Sequence, residues 1–349
     1  MTVLLSTTAH DEEAAALAAV RAGDAAAFAA LTERYRRPLQ VHCYHMLGSV
    51  EDAEDLVQET LLRAWRARTT FEGRSLFRTW LYRIATNACL NTLERAPRRV
   101  LPQDIVPSAH GEPRASPTWN TEIPWLQPYP DYLLEPVAPT EAEPDALLVS
   151  RETIELAYLA ALQHLPPRQR AILVLRDALG WSAKETASLL ESSVASVNSA
   201  LQRARETLRG RLPASRQDWT APASAPTTEE RDLLRRFMSA FERADSAALV
   251  ALMREDARWA MPPAALWFDG RAAIAGLFEA FPLGWQGDLR MLASAANRQP
   301  AAAAYLRLHG ESEFRLVSLN VLRVVDGAIA EVTTFGPPMV AAFHLPATL

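Results

Sequence analysis

Lysine is almost absent: of 36 basic residues only Lys184 is not arginine, a bias that carries no functional information. Cysteine is nearly as scarce. With only Cys43 and Cys89, a disulfide framework and a four-thiolate zinc site are excluded, and a reducing compartment is expected. No window reaches the ~20 uninterrupted apolar residues of a spanning helix, and the start, MTVLLSTTAHDEE, lacks a basic n-region. Neither signal peptide nor membrane contact is expected, and the cytoplasm is the expected address. Net positive charge is missing too: the total is −5, so the free protein has little to gain from counterion release on nucleic acid. What is present is apolar mass, 49% of 349 residues, enough for two or three cores.

Charge and proline divide the chain. Residues 1–100 carry +1, 101–147 carry −7, 148–212 carry +3 and 213–349 carry −2. Eleven of the 24 prolines fall between Ala96 and Leu147, where missing N–H groups and restricted neighbours preclude a long helix or central strand. This linker contains TWNTEIPWLQPYPDYLLE, whose Trp119, Trp125, Tyr129 and Tyr132 are expected to dock on something. A second Pro/Ala/Ser stretch, Pro213 to Pro226, marks another boundary. The expected organisation is a helical domain over 12–96, a linker over 97–147, a second helical domain over 148–212, a short linker over 213–227, and an α+β domain over 228–345.

In the first domain, Ala53, Leu56, Val57, Leu61, Ala64 and Trp65 recur at helical spacing, leaving Asp52, Asp55, Gln58 and Glu59 on the opposite face. Glu51/Asp55 and Asp55/Glu59 are like-charge i,i+4 pairs costing about 0.2–0.5 kcal/mol each, which a basic partner would relieve. A solvated helix N-terminus is the plainer reading. A second helix, FRTWLYRIATNACLNTL, buries Phe77, Trp80, Leu81, Ile84 and Ala88 by its spacing and turns Thr79, Tyr82, Arg83, Thr86 and Asn87 outward. With Arg74 and Arg78 nearby, cations interleaved with aromatics suit single-stranded nucleic acid, although Trp80 fits a core equally well.

In the second helical domain one helix is expected from about Ser150 to His164, and another is opened by Pro166 and Pro167. Gly180 then stops a helix, Ser182 and Glu185 form a capping-box signature, and a turn at Glu191 to Ser193 leads into a last helix. Val194, Val197, Leu201, Ala204 and Leu208 share its apolar face; Ser196, Asn198, Ser199, Gln202 and Arg203 face outward, with Arg205, Arg209 and Arg211 toward its end. This is a helix-turn-helix whose amides, hydroxyls and guanidiniums match base edges and phosphates; a two-helix packing unit is the alternative.

Three ordered motifs, EDAEDLVQETLLRAWR, FEGRSLFRTWLYRIATNACL and LPPRQRAILVLRDALGWSAKETASLLESSVASVNSALQRAR, closely resemble the extracytoplasmic-function group of bacterial sigma factors, over about residues 20–95 and 148–212. The last block is similar to SnoaL-like domains of the NTF2-like cone fold, as in the sigma-G-like and sigma-J-like subgroups. The resemblance implies a multidomain chain: two all-α sigma domains, region 2 and region 4, followed by an α+β cone. It implies that Asp52, Glu54, Asp55, Gln58 and Glu59 bind the β′ clamp helices of core RNA polymerase, whose β flap meets region 4. Arg74, Arg78, Trp80, Tyr82, Arg83, Thr86 and Asn87 would capture the minus-ten element of promoter DNA. Ser196, Asn198, Ser199, Gln202 and Arg203 would read the minus-thirty-five element; because relatives often carry Arg where this chain has Asn198 and Ala200, their sequence preference does not transfer.

For the tail, regulation in cis is expected, through intramolecular contact with the sigma domains or the aromatic linker. A small-molecule sensor or SnoaL-type enzyme is the alternative, with Trp259, Met261, Trp267, Phe268 and Trp285 as pocket walls and Asp256, Asp269 or Glu313 as base. A plain helix-turn-helix regulator that binds DNA unaided is another. No catalytic residue, cofactor or metal is expected: His42 and His45 have a ligand-like spacing but no fourth partner, and the cysteines read as core. FRLVSLNVLRVV and AIAEVTTF, flanking Asp326-Gly327, are expected to form a hairpin.

Overall fold

The computed structural model of the protein describes residues 13–71, 73, 76–109, 119–134, 154–212, 226–284 and 286–349. These form two compact units. One comprises the described parts of residues 1–98, 132–153 and 157–220; the other comprises those of 99–131, 154–156 and 221–349.

The helical unit begins with α1 (13–21). Asp24 then caps α2 (Ala25–Leu47) by accepting from the Ala26 and Ala27 amides at 2.9 and 3.0 Å. Gly48, left-handed at φ 70°, ends α2, a conformation glycine enters without Cβ strain. The next residue, Ser49, caps α3 (Val50–Arg66) through the Asp52 amide. α2, α3 and α4 (Phe77–Leu93) pack against one another around Leu39, Tyr44, Met46, Leu81 and Ala85. α5 (Leu156–Gln163) and α6 (Pro167–Leu173) follow, and α6 runs into a π-helical turn, Val174–Ala178. The expected start of α5 near Ser150 lies outside the described residues.

The expected turn chemistry is present. Ser182 and Glu185 exchange both capping-box bonds at α7 (Ala183–Leu189), and Ser193 caps α8 (Val194–Arg209). Glu191 takes φ 49° in the turn between them. Val194 departs from expectation: at the first position of α8 it precedes the α7 contact, and it is exposed rather than buried.

The tail unit opens with α9 (Thr228–Glu242) and α10 (Ser246–Ala251), and α11 (Arg271–Ala280) lies between β2 and β3 in sequence. Its six strands are β1 (Met253–Ala260), β2 (Trp267–Asp269), β3 (Gly287–Ala296), β4 (Gln299–Leu308), β5 (Arg315–Val325) and β6 (Ala328–Phe335). They form one sheet in the order β2-β1-β6-β5-β4-β3, parallel only between β1 and β6. The core contains Phe237, Leu249, Trp259, Phe268, Ile274, Phe278, Leu322 and Val332. Asp326 and Gly327 have positive φ, 51° and 72°, as the tight β5–β6 turn requires. The β3–β4 hairpin was not anticipated; Asn297 and Arg298 turn it with φ 57° and 59°, without glycine.

Candidate polymerase and promoter interface

α3 separates its two faces cleanly. Val50, Ala53, Leu56, Val57, Thr60, Leu61 and Ala64 are buried, while Glu54, Asp55 and Gln58 are exposed and Asp52 and Glu59 half-buried. Glu59 bonds Arg63 one turn on, at 2.6 Å, an exposed pair worth a few tenths of a kcal/mol. Leu62, 55% exposed, continues this face at the position seven residues after Asp55. The helical wheel could have flagged it, but apolar residues were assigned to the core without testing the phase of each one. Tyr132, just past the aromatic linker, belongs to the same unit; burial and the neighbouring Glu54 carboxylate raise its phenol pKa above the usual value.

α4 behaves differently. Trp80, 6% exposed, belongs to the core: its ring lies 5.0 Å from Phe71 and 5.7 Å from Phe77, centroid to centroid. Tyr82, expected outward, is 1% exposed between His42 (5.3 Å) and Trp181 of the helix-turn-helix (5.1 Å), with Arg78 over both its ring and that of Trp181. Thr86, also expected outward, is buried and its Oγ1 lies 2.9 Å from His42 Nε2. The error has a physical origin: α4 packs on α2 along one side and on α6 and α7 along another, so its buried arc is wider than the sequence period shows. Ile84, conversely, is only half-buried; Arg83 is half-buried, Asn87 is exposed, and Arg74 lies outside the described residues.

The same packing sets the local electrostatics. Burial, then His45, lowers the His42 pKa to about 3, so this imidazole is neutral at physiological pH. His45 Nδ1 donates to the Val41 carbonyl at 2.8 Å. Among the described residues no three His, Cys, Asp or Glu side chains gather as a metal site needs. Arg170, 3% exposed, donates to the Met46 carbonyl, to Gln163 Oε1 at 2.7 Å, and to the Gln163 and Leu165 carbonyls at 2.9 and 3.3 Å. The carbonyl ends of α2 and α5 thus hold this buried cation in place of a carboxylate.

On α8, Ser196, Asn198, Ser199, Gln202 and Arg203 are all exposed, opposite buried Val197, Ala200, Leu201, Ala204 and Leu208. Arg205 is drawn aside: it grips Asp177 through two bonds of 2.6 and 2.9 Å, bracing the recognition helix on the π-helical turn. Arg168 holds the helix-turn-helix turn through the Leu190 carbonyl at 2.7 Å.

Residues 31–99 match Sigma-70 region 2, residues 155–208 match Sigma-70 region 4, and residues 234–332 match the SnoaL-like domain. Over 320 residues the chain is 45% identical to the ECF RNA polymerase sigma factor SigG of Mycobacterium tuberculosis, covering 90% of this chain and 82% of that one. The chain belongs to the extracytoplasmic-function sigma factors. A shorter relative, SigW of Bacillus subtilis, is 31% identical over 194 residues, 55% of this sigma factor and 92% of its own length. The SigJ crystal structure from Mycobacterium tuberculosis shares the fold, with TM-score 0.56, 20% identity and coverage of 89% of this chain and 97% of that one. The function is that of an RNA polymerase sigma factor with a SnoaL-like tail, and among the described residues no helix is long and apolar enough to cross a membrane.

The tail unit of this sigma factor has the aromatic linker as part of its own structure. The Trp267 indole donates to the Val106 carbonyl, and the Ala109 amide returns a bond to Trp267, both 2.9 Å. Trp119 bridges to Ala264, and the Asn120 amide bonds Pro263 at 3.0 Å. At the β3–β4 turn Asn297, 0% exposed, clasps the chain: its amide donates to the Tyr129 carbonyl (2.9 Å), its Oδ1 accepts from the Tyr129 amide (2.8 Å), and its Nδ2 donates to the Ile154 carbonyl (2.8 Å). Of the expected pocket walls, Trp259 and Phe268 fill the core, Met261 and Trp267 are half-buried, and Trp285 lies outside the described residues. Trp259 packs edge-on to Phe278 at 5.3 Å and donates to Thr334 at 2.8 Å. The expected bases all face solvent. Asp256 is held by Arg254, which lowers its pKa, Asp269 pairs with Arg258, and Glu313 is exposed.

Proposed function

We propose that the sigma factor engages core polymerase in the cytoplasm through Asp52, Glu54, Asp55, Gln58 and Glu59 of α3, with Leu62 as an apolar anchor among them. The basic clamp helices of β′ are the matching surface, and region 4 meets the β flap. Arg83, Asn87 and Arg78, joined by Arg74, Trp80, Tyr82 and Thr86 as assigned by resemblance, serve the minus-ten element; Ser196, Asn198, Ser199, Gln202 and Arg203 serve the minus-thirty-five element. The domain limits 12–96, 148–212 and 228–345 are the working boundaries.

The observation that carries this reading is the burial of Tyr82 and Thr86 beneath His42 and Trp181, while the acidic face of α3 and the outer face of α8 stay open. The packed helical unit is then a resting form: polymerase docks first on α3, and separation of region 4 from region 2 uncovers the α4 face. The tail regulates in cis by holding linker residues 99–131, and it has no catalytic step because its acids lie on the surface and aromatic side chains occupy its core. Run-off transcription with purified core enzyme tests the scheme. Trp181→Ala should lower the barrier to open-complex formation, and Asn297→Ala should change the yield of full-length transcript. Wild-type behaviour of both variants would reject the resting form and the linker clasp together.

A further inference from the structure

We infer that Arg98, His164 and Arg211 form a site for a phosphate-type oxyanion, which pins region 2 to region 4 in the packed helical unit. The inference rests on the resting form proposed above. Arg98, Arg211 and Arg170 bring three guanidiniums together, and among the described residues none of them pairs with a carboxylate. Arg98 Nη1 lies 2.5 Å from His164 Nδ1, and guanidinium nitrogens only donate, so Nδ1 is the acceptor and the ring proton sits on Nε2. That Nε2–H faces Arg211 Nη1 at 3.4 Å, donor toward donor. An oxyanion oxygen would accept from both, in the charge-assisted geometry arginine favours for phosphate.

Behind the pair lies Arg170, all of whose acceptors are neutral and whose Nε is buried without a partner. Burial, and then the nearby Arg98 charge, lower its pKa to about 10, so the cluster is short of negative charge. Arg98 follows α4 and Arg211 follows α8, so an anion between them ties the end of the minus-ten helix to the end of the recognition helix. The chemistry is that of a phosphoryl group, free or in a DNA backbone.

The test titrates full-length protein with inorganic phosphate at constant ionic strength by calorimetry, and with a short promoter duplex in parallel. Phosphate should bind saturably, with affinity reduced at least tenfold in Arg98→Ala and in Arg211→Ala, partly restored in Arg98→Lys, and unaltered in Arg235→Ala. If only duplex affinity falls in the two alanine variants, the site holds and its phosphate belongs to DNA. If neither ligand distinguishes Arg98→Ala or Arg211→Ala from wild type, the site is overturned. Amide exchange across residues 78–86 should slow several-fold on adding phosphate to wild type but not to Arg98→Ala. Binding without such slowing overturns the pinning, whereas fast exchange throughout, with phosphate still bound, refutes the resting form and leaves the site standing.

Discussion

α3 and α4 are neighbours of equal length, 17 residues each, packed on the same α2, yet one displays its outer face and the other hides it. The difference follows from side-chain chemistry. Glu54, Asp55 and Gln58 could not leave water without partners, because burying an unpaired charge costs several kcal/mol. Tyr82 and Thr86 can leave it, since a ring and a methyl gain from burial and the Thr86 hydroxyl pairs with His42. A surface that recognises protein by charge therefore tolerates solvent while it waits. One that stacks bases is apolar enough to be covered by the nearest aromatic, here Trp181.

The contrast can be broken at several points. Trp80→Ala should destabilise the helical unit by about 3–5 kcal/mol in urea unfolding, as removal of a core aromatic does; a small loss would return Trp80 to the surface chemistry of α4. Asp55→Arg with Glu59→Arg should leave stability within about 0.5 kcal/mol while weakening assembly with core polymerase by about 2–5 kcal/mol, read by native pull-down and run-off transcription. Normal assembly would remove α3 from the interface.

Acid should act on the covered face. His42 has its folded pKa lowered to about 3 from 6.5, so between those values the unfolded chain binds the extra proton and stability rises with pH. Going down from pH 6.5, the helical unit should lose up to roughly 1.4 kcal/mol per pH unit from this group. His42→Gln should flatten that slope in urea titrations at pH 7, 6 and 5. Asn297→Ala should cost about 1–3 kcal/mol by orphaning buried backbone groups of the linker and should hasten proteolysis within residues 99–131. The smallest effect is expected for Asp256→Asn: an exposed acid should shift stability by no more than about 0.5 kcal/mol and leave transcription unchanged. A loss of transcriptional activity would reopen a chemical role for the tail.

Local patterns were legible where one physical rule dominated. The stripe of α3, the Ser182/Glu185 capping box and the Asp326-Gly327 turn all follow from spacing or turn chemistry, and all are present. The β3–β4 hairpin was hidden because ASAANRQPAAAA reads as helix-forming alanine, and its turn uses Asn297 and Arg298 instead of glycine. Packing decides here: Ala302 and Ala304 are small core residues on a strand beneath α9. The linker aromatics announced a docking segment without naming its site, which depends on the Trp267 edge and the Asn297 clasp, each more than 100 residues away in the chain.

By itself the sequence determined the helical periods, the caps, the order of three motifs and the acidic composition of α3, since these depend on residues within a few turns of one another. Tertiary structure alone decided that Tyr82 lies under Trp181, that Arg170 fills the carbonyl ends of two helices, and that Asn297 holds the linker. Those outcomes are set by long-range packing and by which buried donors find acceptors, quantities that no local window contains.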